Sequence, residues 1–346
     1  MFLISLFLGL INSLNPLAGV YGIIKIIEFS FLAYYISFSF KSLSKKIIFS
    51  LLSISIFFES LLSIFQYLNN SSLGGFFYFL GERTYNAQTP GIANATINGQ
   101  LFLRPYATFS HPNVLAAYLL ITVLYLLMLN TKIKTAIFII FISAISLVLS
   151  LSRGPIFLSF IYLIIFFTFL IFEKFKNGKL KTAIFVFLFS IIVISGIFIL
   201  FKNTEIFQRF LSLNLTDESV VQRKELLTQA INMFIKNPVF GVGVNNFYNN
   251  LNFSFPAQTL LIQPVHNILF LILSETGIVG FVFFILVFFK SFLDILKKQG
   301  LQKIYLLLIL FAIFFLGFFD HYFLTIQQGQ LLLSLFLGTA FSYKKT

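Results

Sequence analysis

Residues 263–289 read QPVHNILFLILSETGIVGFVFFILVFF, and from position 266 onward the stretch is almost wholly apolar. Wound as an α-helix at about 1.5 Å per residue, it is long enough to cross about 30 Å of hydrocarbon. It lacks the two-residue alternation of a barrel strand. Working outward, the whole chain repeats this character: 58% of residues are hydrophobic and 10% are charged, where a soluble globule carries about 25% charged residues. The sequence therefore predicts an all-α, polytopic membrane protein.

Apolar runs predict spans at 17–40, 47–67, 113–129, 135–152, 155–172, 182–201, 266–289, 304–319 and 322–341. Residues 1–11 are apolar but too short to span alone, and they lack the basic start and small-residue cleavage site of a signal peptide. They read as a partial or tilted helix or as the remnant of a longer N-terminus, and the expectation is a bundle of about nine to ten transmembrane helices. The whole of 1–346 reads as a single integral membrane domain. Lysines in short loops mark the cytoplasmic side. Counting alternately from Lys41, Lys45 and Lys46, every inner loop is basic: Lys132 and Lys134, then Lys174 to Lys181, then Lys290 to Lys303, then Lys344 and Lys345. This orientation places the C-terminus in the cytoplasm. It also accounts for most of the net charge of +13 without nucleic acid.

The inner anchors are all lysine, whereas Arg83, Arg104, Arg153, Arg209 and Arg223 all fall on the outer side. A guanidinium fork suits bidentate binding of phosphate or carboxylate, which an ammonium does not reproduce. Two long outer segments interrupt the spans, 68–112 and 202–265, and loops of that length are usually functional. The second contains an amphipathic helix at about 218–236. Its cap is Thr216 or Asp217, and Val220, Val221, Leu227, Ala230, Ile231 and Phe234 are expected on one face. Arg104, His111, Asn113, Arg153, His266, Asp320 and His321 gather at the outer boundary, and they include all three histidines. One boundary histidine is ordinarily an interfacial polar tip; three beside several arginines suggest chemistry. Lys25, Glu28, Glu59 and Glu275 lie inside apolar runs, where an ionisable group needs a partner. Lys25 and Glu28 can neutralise each other. Glu275 lies about 13 to 14 Å of helix below His266, too deep to orient it, and reads as an internal lock or a carrier-lipid contact.

Four stretches, RPYATFSHPNVLAAYLL, LSLSRGP, QRKELLTQAINMFIKNPVFGVGVNNF and VHNILFLILSETGIVG, occur in an order that resembles the O-antigen ligase and O-antigen polymerase superfamily. The resemblance covers about residues 100–290 and runs more loosely to the C-terminus. It implies a GT-C-like helical bundle that takes a glycan from an undecaprenyl-pyrophosphate donor and passes it to an acceptor hydroxyl outside the cytoplasmic membrane. By that resemblance His266, Arg153 and Arg223 are the catalytic candidates, and they surround pyrophosphate and acceptor. Arg104, His111, Asn113, Asn267 and Glu275 are the substrate-binding candidates. The HPN stretch also reads as a plain helix-start turn. No Asp/Glu/His cluster with metal-ligand spacing stands out in the sequence, so neither metal nor cofactor is expected. Two other readings share the donor chemistry, a polyprenyl-linked glycan flippase and a peptidoglycan-polymerising relative. The span count is lower than the roughly dozen the resemblance implies, and the acceptor is left open.

Overall fold

A computed structural model describes residues 2–40, 42–97, 99–129, 133–176, 184, 218–251 and 263–342. The expected span at 182–201, Arg209 and the expected caps Thr216 and Asp217 lie outside the described residues. In chain order the elements are α1 (Phe2–Gly9), a 3-10 turn (Leu10–Asn12), α2 (Pro16–Ser39), α3 (Lys45–Asn69), α4 (Phe76–Phe79), β1 (Asn94–Ile97), β2 (Gln100–Leu103), α5 (Pro112–Leu129), α6 (Ile133–Leu149) and α7 (Arg153–Lys176). They continue with α8 (Glu218–Lys236), a 3-10 turn (Tyr248–Asn250), α9 (Ile268–Leu296), α10 (Gly300–Phe319), α11 (Tyr322–Thr325) and α12 (Gln327–Phe341). Among the described residues, α2, α3, α5, α9 and α10 are long and apolar enough to cross a membrane. Shorter apolar stretches occur at Ala136–Leu149 and Arg153–Thr168. The protein is thus an all-α, polytopic membrane protein, with one small β-hairpin that the apolar pattern did not announce.

The chain divides into two compact units, residues 1–58, 121–141 and 215–346 in the first and 59–120 and 142–214 in the second. In the first unit α12 packs along α2, while α9 touches α1, α8, α10 and α12. Small residues permit these approaches, as expected where lipid supplies no hydrophobic drive between helices. A Cβ on Gly338 would lie 2.5 Å from the Ile36 side chain, and one on Gly317 would lie 2.4 Å from Ile268. Polar ties reinforce the apolar contacts: Ser334 donates to Phe29 O at 3.0 Å, and the buried Tyr125 hydroxyl pairs with Thr339 Oγ1 at 2.8 Å. Lys25 and Glu28 form the expected pair at 2.8 Å.

The expected final span at 322–341 is broken. Ile326 is extended (φ −109°, ψ 131°), so the segment divides into α11 and α12. The break frees backbone acceptors, and Gln330 answers by donating its side-chain amide to Leu324 O and its backbone amide to Ile326 O. A backbone group left unpaired at membrane depth would cost several kcal/mol.

The helix α9 is also interrupted. Gly277 sits at φ 62°, ψ −167° inside it, a conformation essentially confined to glycine. The break turns carbonyls and amides outward, and the segment after α8 satisfies them. Val242 N donates to Ser274 O at 2.9 Å and Gly243 N to Glu275 O at 3.0 Å, while Ile278 N donates to Pro238 O at 2.8 Å. The contact is backbone against backbone, since a Cβ on Gly241 would stand 2.4 Å from Glu275 C and one on Gly277 2.4 Å from Val239 C. The Glu275 carboxylate accepts from Phe247 N at 3.2 Å and faces the amides of Asn245 and Asn246. Of the two roles expected for it, the internal lock is the one visible in these contacts.

The N-terminal segment closes the other side of this loop. The fully buried Asn246 accepts from Asn15 N at 2.9 Å and donates to Asn15 O at 3.1 Å, and Asn12 donates to Gly241 O at 3.2 Å. Residues 2–12 are therefore a short helix and turn packed within the first unit, where Phe2 meets Phe283.

In the second unit the segment after α3 is built on buried polar anchors. The Gln66 side chain is fully buried; its carbonyl accepts from Tyr106 N and Ala107 N at 3.0 and 2.7 Å, and its amide donates to Glu82 at 2.7 Å. Glu82 in turn accepts from Leu73 N and Gly74 N, both at 2.8 Å. Glu59 accepts from the Thr108 hydroxyl at 2.7 Å and the Thr108 amide at 3.1 Å, which gives that intramembrane carboxyl its partner. Tyr85, Ala87, Leu103 and Tyr106 form a small apolar core beside the hairpin.

Candidate functional site

Three elements of the first unit bring chemistry together. The first is the start of α9. Asn267 caps it, accepting from Leu269 N at 2.9 Å and Phe270 N at 3.2 Å, and its amide donates to Phe318 O at 3.1 Å. Its side chain thus fixes His266 against the end of α10. The second element is the extended corner at Asp320 that follows α10. His266 Nδ1 lies 3.3 Å from Asp320 Oδ1, and His266 Nε2 lies 2.8 Å from Gln263 Oε1.

The same corner carries His321. Its backbone amide donates to Asp320 Oδ1 at 2.8 Å, its Nδ1 lies 2.6 Å from Thr325 Oγ1, and its ring centroid is 5.2 Å from that of His266. Burial pushes the His321 imidazole down to about 4; Asp320 pulls the other way, and His266 and Arg223 add to the downward push. Arg223, exposed on α8, is therefore close enough for its charge to be felt at this cluster. One ligand atom from each of His266, Asp320 and His321 falls within 4.8 Å of the others. No such cluster stood out in the sequence, because Asp320 and His321 are over fifty residues from His266 and α9 and α10 must pair before they meet.

The helix α8 packs through Leu226, Leu227, Ala230 and Met233 onto Val242, Phe247, Val265 and Leu271. This differs from the expected face: Val221 and Ile231 are exposed, together with Ile235, on the opposite side. The helix is apolar on two sides, so hydrophobic period alone does not tell which one meets protein.

The remaining candidates belong to the second unit. His111, Pro112 and Asn113 open α5, and His111 Nδ1 accepts from Asn113 N at 3.1 Å, as a helix-start turn requires. Arg153 opens α7, directly after a turn in which Leu151 has φ 51°. That turn is held from both sides. Arg104 donates through Nε to Ser150 O at 2.8 Å and through Nη2 to Asn113 Oδ1 at 2.9 Å, and the same Asn113 oxygen accepts from the Ser152 hydroxyl at 3.0 Å. Arg104 and Asn113 are thus seen fixing the turn that presents Arg153. Arg83 donates to Ser110 O at 2.6 Å and lies over the Tyr106 ring.

The long apolar helices define a multi-pass membrane protein. The comparison with known families narrows this: residues 136–285 match the model of the O-antigen ligase family. The match supports the O-antigen ligase and O-antigen polymerase superfamily, and with it a membrane glycosyltransferase in general terms. It takes in Arg153, Arg223, His266, Asn267 and Glu275, while Arg104, His111, Asn113 and Asp320 lie outside it. No curated protein matches the chain.

Proposed function

We propose that the protein transfers a glycan from undecaprenyl pyrophosphate to an acceptor hydroxyl on the outer face of the cytoplasmic membrane, with inversion and without a catalytic metal. The observation that carries the reading is the His266–Asp320 contact at 3.3 Å, at the head of a membrane helix and within the electrostatic reach of Arg223. With Asp320 accepting a proton from Nδ1, His266 Nε2 carries the lone pair, and the Gln263 amide turns over to donate toward it or gives way to an acceptor hydroxyl. The hydroxyl oxygen attacks the anomeric carbon as its proton passes to Nε2. The bond from that carbon to the pyrophosphate oxygen breaks, and undecaprenyl pyrophosphate departs with the electron pair. A single displacement from the opposite face inverts the centre.

Positioned general bases contribute about 10² to 10⁴ in rate, and preorganised charge on a departing oxyanion contributes a comparable factor. Arg223 is assigned to that departing charge. Arg153 is assigned to pyrophosphate as well, on the strength of the resemblance and of a family match that spans it. Asp320, Asn267, Glu275, Arg104, His111 and Asn113 are positioning residues in this reading, because each is seen holding backbone or another side chain.

The test is transfer in liposomes from a defined undecaprenyl-pyrophosphate oligosaccharide. Arg223→Lys keeps the charge and loses the fork, and should lower kcat by about a hundredfold. Asp320→Asn should lower kcat while leaving the donor KM unchanged, which a merely structural role would not do. Full activity in both variants would remove the proposal.

A further inference from the structure

We propose that the groove between α9 and α10 seats one chain of an anionic phospholipid, whose phosphate Lys303 holds at the cytoplasmic side. The site lies apart from the histidine cluster and is independent of the transferase mechanism. Phe288, Phe289 and Phe292 fall on one face of α9, and Leu307, Leu310 and Phe311 fall on one face of α10. The two faces meet at the floor and part at the rims. Phe288 and Leu310 are 4% and 9% exposed, whereas Phe289 and Phe311 are 56% and 51% exposed.

The groove so formed has a volume of about 430 Å³, within the range of small-molecule sites. The side chains that line it are all aliphatic or aromatic, so they offer water no hydrogen-bonding partner. Both helices are long and apolar enough to cross a membrane. The groove therefore opens on hydrocarbon, and a lipid chain is the occupant that its chemistry fits.

The end of α10 selects the headgroup. Lys303 lies four residues before Leu307, on the same face and one turn nearer the start of the helix. From Lys303 to Phe314, where the groove ends on α10, the helix rises about 16 Å. That is close to one leaflet of a hydrocarbon core about 30 Å thick.

Neighbouring lysines are engaged elsewhere. Lys290 and Lys297 both pair with Asp294, at 2.9 and 3.0 Å, and Lys298 donates to Ser342 O. The half-buried Lys303 has no ion pair among the described residues. Its ammonium is placed to meet the phosphate of a lipid seated in the groove, and a lysine at the cytoplasmic boundary favours an anionic headgroup over a zwitterionic one.

The chain contains no tryptophan, so Phe311→Trp puts a single fluorescent reporter on one rim. The full-length variant is reconstituted into vesicles of phosphatidylcholine and phosphatidylglycerol, with brominated chains on one lipid and then on the other. Quenching then reads which lipid the groove prefers. Phosphatidylglycerol should be favoured about fivefold, the worth of one lysine at an anionic surface. Phe289→Trp, on the opposite rim, should give the same preference. Phe31→Trp, 67% exposed on α2, samples bulk lipid and should show little preference. Adding Lys303→Gln to Phe311→Trp should abolish the preference. Equal quenching by the two lipids at both rims, a preference that survives Lys303→Gln, or one equalled at Phe31→Trp would overturn the site. The readout needs no glycan transfer, so its failure leaves the transferase proposal standing.

Discussion

At the scale of single residues, the account turns on a few polar side chains whose partners are remote in sequence. His321 makes the clearest independent prediction. Its folded imidazole is held down to about 4 by burial, with Asp320 opposing and His266 and Arg223 reinforcing, whereas an unfolded histidine titrates near 6.5. Between those values the unfolded chain binds the extra proton, so stability is complete above about pH 6.5 and is lost as pH falls toward 4. The thermal midpoint in detergent should decline across that window, and His321→Gln should remove part of the decline; a slope unchanged by the substitution would contradict the burial of the ring. The histidines themselves were legible in the sequence as boundary residues. Asp320 was legible as one of them too, but its contact with His266 was not, since the two meet only through the pairing of α9 with α10.

At the scale of elements, the broken helix α9 explains why a loop with the sequence NPVFGVG accompanies a membrane span. The break at Gly277 leaves polar backbone turned outward, and only a segment with glycine at the contact can come close enough to pair with it. Gly277→Ala should cost about 1–3 kcal/mol from the backbone conformation alone, and more from the approach of a Cβ to 2.4 Å of Val239 C. Gly91→Ala is the comparison: its φ is 78° but nothing lies within 4 Å, so its loss should be confined to the backbone term. Unfolding midpoints in detergent measure both, and equal losses would deny the backbone contact. Glycine spacing marked a turn in the sequence, but a glycine inside an apolar run gives no sign that the helix breaks there. The same limit applies to α8, whose boundaries follow from composition while its buried face, with Leu226 and Met233 in place of Val221 and Ile231, depends on what packs beside it.

At the scale of the whole molecule, the membrane class follows from composition and most spans follow from run length, because no soluble core hides so much apolar surface. The division of the last apolar run at Ile326 was not legible, since Gln327 and Gln328 read equally well as polar residues tolerated within a helix. The proposed orientation rests on the lysine-rich loops, and the chain's lack of cysteine makes it testable. An impermeant maleimide should label Gln88→Cys in intact cells and Ser44→Cys only after permeabilisation; the reverse pattern would invert the topology and take the proposed site off the outer face.

The most direct measurement is glycan transfer in liposomes by wild type and His266→Ala, with a defined undecaprenyl-pyrophosphate oligosaccharide, candidate acceptors and chelator present. The account predicts transfer by the wild type with inversion at the anomeric carbon, and a loss of about a hundredfold or more in the variant. Transfer undiminished by His266→Ala, or wild-type transfer abolished by the chelator, would contradict it.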